Sequence, residues 1–283
     1  MHLLFSTFLL ALTFSLQANT SFTTQIHDID LGNSPEDETL IFLSNGKVSK
    51  LTHTNNDTLM ALETARDQSS WVNITLDKNR NIIALSSSDM IGTSEPFLNR
   101  NHFKSLGTFK PTVIESMTRA REIFDEARYN PKESQCYNRA HVWSYEWRVN
   151  HNILTSKIWL FFTRKYIRKY NFDWWFHVAP MLHVNIGGRM MERVADIKYA
   201  RAPLRIKQWT DIFLRNDAEC PLVENYSDGA DYPESRWCYI MKSSMYYYQP
   251  VDLEANEKYG TDRSSWNEEE VRGSYLEAFD IQI

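Results

Sequence analysis

Alternating apolar and polar residues in the first third of the chain predict a small sheet with one helix. An Asn-Gly turn joins two of the predicted strands, which is typical of a β-hairpin, and a polar turn joins the other two. A helix is predicted to begin at Asp57, a good N-cap residue. The predicted strands span 39–43, 48–51, 71–76 and 82–85. This pattern predicts an α+β module over residues 19–110.

The second half of the chain begins with a helical pattern and continues with strands. Apolar residues recur at helical spacing over 113–128 and again over 136–151. Apolar stretches then predict strands at 158–162, 174–177, 181–186 and 191–196, with a Gly-Gly turn at 187–188 before the last of them. We therefore expect an α+β domain over 113–283, in which a helix packs on an antiparallel sheet. Ser, Asn, Gly and Pro in residues 86–112 predict a linker between the two domains.

The N-terminus carries a short apolar run at residues 3–16, too short to span a bilayer. Its position predicts a secretory signal over residues 1–18, with cleavage near Ala18. We therefore expect a secreted or periplasmic protein without membrane insertion after signal cleavage. The formal net charge of −5 gives no electrostatic reason to expect nucleic-acid binding.

The chain has three cysteines, and two of them lie close together in a polar, turn-rich region. We expect Cys220 and Cys238 to form a disulfide, which would contribute about 3 kcal/mol by the chain-entropy model. Cys136 is then the odd thiol.

Cys136 falls at the first turn of a predicted helix, where unpaired N–H groups and the helix dipole favour a thiolate. His177 lies on a predicted strand and can act as a base. Asp196 lies one strand further on and can orient that base. The backbone N–H of Cys136 is the expected oxyanion donor. Gln135 and Trp175 are further candidates for oxyanion or substrate binding, and no metal or cofactor site is expected.

Three ordered motifs strengthen this interpretation: Cys136–His141, Trp175–Pro180 and Val194–Asp196, followed by Pro203-Leu204 and Trp209. Together they resemble the bacterial protein-glutaminase family. The resemblance implies a papain- and transglutaminase-like core whose Cys–His–Asp triad is formed by Cys136, His177 and Asp196. It also implies hydrolysis of the side-chain amide of glutamine in proteins or peptides, through a thioester and without a cofactor. Residues 19–110 are then either a removable pro-region or a permanent accessory domain.

Other functions use the same residue types. A secreted cysteine peptidase and a transglutaminase-like acyltransferase both pass through a thioester and an oxyanion. A non-catalytic exported binding module with a buried, unreactive thiol is a further alternative. Arg139 and His141, which follow the cysteine closely, are expected to be structural.

Overall fold

A computed structural model divides the chain into two units. The first comprises Met1–Ile41 and Ser49–Met90, and the second comprises Phe42–Val48 and Ile91–Ile283. The structure describes residues 19–34, 37–52, 56–89, 109–215, 218–229, 236–261 and 263–283. The predicted signal at 1–18 and most of the predicted linker at 86–112 lie outside these residues.

A five-stranded sheet and one helix make up the N-terminal part of the fold. The strand order is β3-β2-β1-β4-β5, and β4 pairs antiparallel with both β1 and β5. Both predicted hairpins and the helix near Asp57 are confirmed. The elements are β1 (Thr20–Asp30), β2 (Thr39–Leu43), β3 (Val48–Leu51), α1 (Asn56–Asp67), β4 (Trp71–Leu76) and β5 (Ile82–Ser87).

The second unit is built on a mixed sheet in the order β10-β7-β8-β6, with β9 paired to β8. The pairs are antiparallel except for the short parallel pair of β6 with β8. The α+β class predicted from the sequence is confirmed. The elements are β6 (Val113–Ile114), α2 (Met117–Asp125), α3 (Cys136–His151), β7 (Ser156–Phe162), α4 (Arg164–Tyr170), β8 (Phe176–Ile186), β9 (Arg189–Val194), α5 (Ile206–Phe213), β10 (Cys238–Ser244), α6 (Pro250–Tyr259) and α7 (Glu268–Phe279).

Helix α3 forms the centre of the core, between α2, α7 and strand β8. Two buried tryptophans on α3 anchor it: Trp143 Nε1 donates to the carbonyl of Arg128 at 2.8 Å and Trp147 Nε1 to that of Ile123 at 3.1 Å. A buried indole whose N–H is hydrogen-bonded packs strongly and in one orientation. The helix that carries Cys136 therefore has a fixed position in the core.

Several predicted element boundaries in the second unit are wrong. Residues 113–114 form β6, and helix α2 begins only at Met117, because Ser116 caps it by accepting from the N–H of Arg119 at 3.1 Å. Residues 176–177 and 181–186 belong to a single strand, β8, that continues through Pro180, and residues 174–175 precede it. The carbonyl of Pro180 accepts from the N–H of Ala195, which lies just past the end of β9. The nitrogen of Pro180 therefore faces a point where the β8–β9 hydrogen-bond ladder has already ended, and no strand hydrogen bond is lost.

The turn between β8 and β9 brings the chain back alongside itself. Gly187 and Gly188 have φ angles of +60° and +80°, which suit a two-residue hairpin turn that other residues adopt only with strain. Strand β9 ends at Val194, not at residue 196 as predicted, so Asp196 lies in the loop that follows.

A disulfide joins Cys220 to Cys238 at the start of β10, which is the pairing predicted from the sequence. Within the described ranges, no helix is both long and apolar enough to cross a membrane.

Candidate active site

Cys136 is the first residue of helix α3, as the sequence predicts. The thiol is free, and the residue is partly exposed, whereas the rest of the first turns of α3 is buried. The backbone N–H groups at this end of a helix have no partner within the helix and carry partial positive charge. A thiolate or an oxyanion formed here is therefore stabilised by the backbone itself.

His177 lies near the start of strand β8, and its side chain is completely buried. Its Nε2 donates to Asp196 Oδ2 at 2.7 Å. Aromatic rings surround the imidazole: the ring of Trp174 stacks on it at 5.7 Å between centroids, and that of Phe213 lies 4.4 Å away. This packing shields the ring from water and fixes its orientation.

Asp196 is also buried, and it has two donors on one carboxylate oxygen. Besides His177, the indole Nε1 of Trp209 donates to Asp196 Oδ2 at 2.9 Å. Burial would raise the pKa of Asp196, but the charge and hydrogen bond of His177, the bond from Trp209 and the charge of Arg139 lower it below its ordinary value. Asp196 is therefore ionised at neutral pH.

The pKa of His177 is shifted in the opposite sense. Burial lowers it, but the charge and hydrogen bond of Asp196 and the interaction with Cys136 together raise the pKa to about 9. Because Asp196 holds Nε2, Nδ1 is the nitrogen left for the thiol, and it has no hydrogen bond to the described residues. The arrangement can therefore hold a proton on His177 at neutral pH beside Cys136.

Gln135 and Trp175 occupy different environments. Gln135 is the N-cap residue of α3, but its side chain makes no capping hydrogen bond. Trp175 is buried, and its Nε1 donates to the carbonyl of Leu43 at 2.8 Å, so its ring is held by the segment Phe42–Val48 of the same unit. Of the two, Gln135 is the better placed for an oxyanion.

The segment Phe42–Val48 runs beside residues 173–175. The N–H of Trp175 donates to the carbonyl of Gly46 at 3.0 Å, and the N–H of Val48 donates to that of Asp173 at 2.8 Å. Gly46 has φ +88°, and a Cβ there would lie 3.2 Å from the ring of Phe176, the residue before His177. The segment thus packs closely against the start of strand β8, which carries His177.

Two polar side chains that follow Cys136 closely make contacts that the sequence did not predict. Arg139, expected to be structural, donates to the carbonyl and hydroxyl of Ser134, and its guanidinium lies over the ring of Tyr199. His141 is buried beside Lys157, whose Nζ lies 3.1 Å from His141 Nδ1. No group of three or more His, Cys, Asp or Glu side chains in the described part of the chain could hold a metal ion.

Comparisons with known proteins agree with this architecture. A family model described as Glutaminase (Gln_deamidase_2) matches residues 112–213, which contain Cys136, His177 and Asp196. Among solved structures, a pro-protein-glutaminase matches with TM-score 0.53 and 15% sequence identity, over 92% of this chain and 94% of that one.

The A47Q2 mutant of pro-protein-glutaminase matches with TM-score 0.52 and 17% identity, over 82% of this chain and 85% of that one. At these identities the structural matches establish the fold alone. A search of curated proteins finds no match. Over residues 112–213 the chain is thus similar to the glutaminase family, and it shares its fold with pro-protein-glutaminase.

Proposed function

We propose that this protein hydrolyses the side-chain amide of glutamine residues in proteins, giving glutamate and ammonia. The observation that carries the proposal is the buried Asp196–His177 pair beside the free thiol of Cys136, within the stretch that matches the glutaminase family. We assign Cys136 as nucleophile, His177 as acid and base, and Asp196 as the group that orients His177.

In the first step, the Cys136 thiolate attacks the side-chain carbonyl carbon of glutamine, and the carbonyl electron pair moves to oxygen. The backbone N–H of Cys136 stabilises this oxyanion, and the uncapped side-chain amide of Gln135 is our second donor. The C–N bond then breaks as His177 Nδ1 transfers its proton to the leaving nitrogen. Ammonia departs and a thioester remains on Cys136.

In the second step, His177 removes a proton from water, and the hydroxide attacks the thioester carbonyl. The C–S bond breaks, so that glutamate leaves, the thiolate is restored and His177 is again protonated. The net change is one water consumed and one ammonia released for each glutamine.

Ammonia release from a glutamine-rich protein such as a denatured cereal storage protein tests this function, with gels run beside it. We expect ammonia without any change in chain length. Fragments without ammonia would show a cysteine peptidase, and crosslinked products an acyltransferase. Cys136→Ala should abolish ammonia release while the melting temperature stays near that of the wild type. An intact Cys136 that resists alkylation would instead indicate a non-catalytic binding module.

We further propose that residues 19–110 are a pro-region removed on activation. The solved structure that is matched over 94% of its own chain is described as a pro-protein, and the segment Phe42–Val48 is hydrogen-bonded through Gly46 and Leu43 to Trp175, two residues before His177. Limited proteolysis within 86–112 should raise the rate of ammonia release. A full-length protein that is already fully active would contradict this proposal.

Export from the cytoplasm is also part of the proposal. Its support is the Cys220–Cys238 disulfide, since disulfides persist mainly in oxidising compartments. Fractionation of cells that express the full chain, with mass analysis of the N-terminus, tests both export and cleavage near Ala18.

A further inference from the structure

The helix that carries Cys136 begins without a local cap. Its N-cap residue, Gln135, makes no side-chain hydrogen bond to the helix, and its first turn contains no acidic residue. A helix start of this kind leaves backbone donors unsatisfied unless another part of the molecule supplies acceptors. The missing acceptor comes from a distant helix.

Glu277, on helix α7, supplies it. Its Oε1 accepts from the backbone N–H of Gln135 at 3.2 Å, and its Oε2 accepts from Asn138 Nδ2 at 2.7 Å. In an ordinary capping box, an acidic residue at the third helical position accepts from the N–H of the N-cap residue. Here that third position is Asn138, and the acidic group reaches the N-cap N–H from 142 residues away in sequence.

Asn138 is oriented so that only a hydrogen-bond acceptor can face its amide nitrogen. Its Oδ1 accepts from the hydroxyls of Tyr248 and of Ser274, the latter at 3.1 Å, and its side chain is buried. The amide nitrogen must therefore point at Glu277. Both carboxylate oxygens of Glu277 are used, one for the backbone and one for Asn138.

The same end of α7 holds the chain just before the catalytic helix. Asn130 Nδ2 donates to the carbonyl of Ala278 at 3.1 Å, and Lys132 Nζ pairs with Asp280 at 2.6 Å. The entry into α3 is thus fastened to α7 at several points, and α7 lies outside the residues that match the glutaminase family.

We propose that Glu277 is a positioning residue that fixes the start of α3, and with it the thiol and backbone N–H of Cys136. This inference rests on the proposed function for its catalytic meaning. Burial raises the pKa of Glu277, and the bonds from Asn138 and Gln135 oppose that shift. The hydrogen bonds of these two donors, together with the charges of Arg139 and Lys132, thus offset part of the cost of burying the carboxylate.

The test uses Glu277→Gln. This change keeps an oxygen for the Gln135 N–H but turns an amide NH₂ towards the NH₂ of Asn138, so that two donors face each other. We expect the alkylation rate of Cys136 by iodoacetamide near pH 7 to fall about tenfold, the order expected for one lost charged hydrogen bond. The kcat for ammonia release should fall by a similar factor with KM unchanged.

A second change should restore the hydrogen bonds. In the double variant Asn138→Asp with Glu277→Gln, the new carboxylate at position 138 accepts from the new amide at 277 and from Tyr248 and Ser274. The amide oxygen at 277 then still accepts from the Gln135 N–H. We expect alkylation and kcat to recover to within about threefold of the wild type, since the donors and acceptors match again. Glu268→Gln, on the exposed first turn of α7, is the matched control and should change neither rate.

Three outcomes are decisive. An alkylation rate unchanged in Glu277→Gln overturns the proposal, as does a double variant that folds but stays as slow as the single one. Recovery in the double variant supports it even if the single variant does not fold. Because alkylation needs no glutamine substrate, a wild type that has been cleaved within 86–112 and is alkylated as expected, but still releases no ammonia, refutes the proposed function and leaves the role of Glu277 intact.

Discussion

Trp209 and His177 donate to the same oxygen of Asp196, from two different elements of the fold. The indole lies on α5 and the imidazole on β8, so the carboxylate is held between a helix and a strand. A carboxylate with two fixed donors on one oxygen has little freedom to turn. The orientation of the carboxylate that holds His177 is therefore set in part by Trp209.

Trp209→Phe tests this arrangement. It keeps the ring packing but removes the donor to Asp196, so we expect a loss of kcat of about tenfold and a loss of stability of about 2 kcal/mol, the usual value of a hydrogen bond to a charged group. Steady-state kinetics and urea unfolding measure the two effects. A kcat equal to that of the wild type would show that His177 alone orients the carboxylate.

Asp196→Asn should have a much larger effect on activity. An amide can place its NH₂ against His177 and favour the wrong tautomer, a change that costs about 10⁴-fold in kcat in a Ser-His-Asp triad. Asp211→Asn is the matched control, because Asp211 is exposed on α5 and pairs only with Lys207 among the described contacts. Equal activity of the two variants would remove Asp196 from the catalytic assignment.

The pH dependence of activity follows from His177. Its pKa of about 9 in the folded protein lies above the ordinary value of 6.5, so the imidazolium needed to protonate the leaving nitrogen is lost as the pH rises through 9. We expect kcat/KM to fall above that pH. Removing the charge in Asp196→Asn lowers the pKa of His177, so any residual activity should be lost at a lower pH.

The same shift makes a stability prediction. Between pH 6.5 and about 9 the folded protein binds the His177 proton more tightly than the unfolded chain does. The stabilisation is therefore complete below pH 6.5 and disappears as the pH rises through 9. His177→Gln should remove this part of the pH dependence, as measured by urea unfolding across that range.

Lys157 should change stability with pH in the opposite sense. Burial and, secondarily, the charge of Arg263 lower its pKa from 10.5 to about 7, and its Nζ donates to the carbonyl of Tyr247. The unfolded chain then binds more protons between about pH 7 and 10.5, so this group makes stability rise with pH. Lys157→Met should abolish that rise. Urea unfolding at about pH 7 and about pH 10 measures it, and an equal rise in both proteins would contradict the prediction.

Local signals were sufficient to predict the catalytic helix. Helix α3 spans Cys136–His151 as predicted, because tryptophans at helical spacing on one face left no competing pattern. The predicted helix over 113–128 was partly wrong because Ile114 suits a strand as well as a helix, and the two-residue strand β6 exists only through its pairing with β8. Such pairing depends on the tertiary structure, and no local sequence pattern predicts it.

The candidate site was predictable only in part for the same reason. His177 and Asp196 are hydrogen-bonded, but the hairpin that brings them together depends on β8 passing unbroken through Pro180, where the sequence predicted two separate strands. Glu277 had no signal at all, since a glutamate on an amphipathic helix is usually a solvated residue. Its role depends on a contact across half the chain.

The segment Phe42–Val48 has a consequence for how the sequence can vary. Its bonds to residues 173–175 use the main-chain groups of Leu43, Gly46 and Val48, and a main-chain bond survives most exchanges of side chain. Gly46 differs, because its positive φ and the nearby ring of Phe176 leave little room for a Cβ. In an alignment of relatives, we therefore expect the length of this segment and its glycine to be conserved and its other residues to vary.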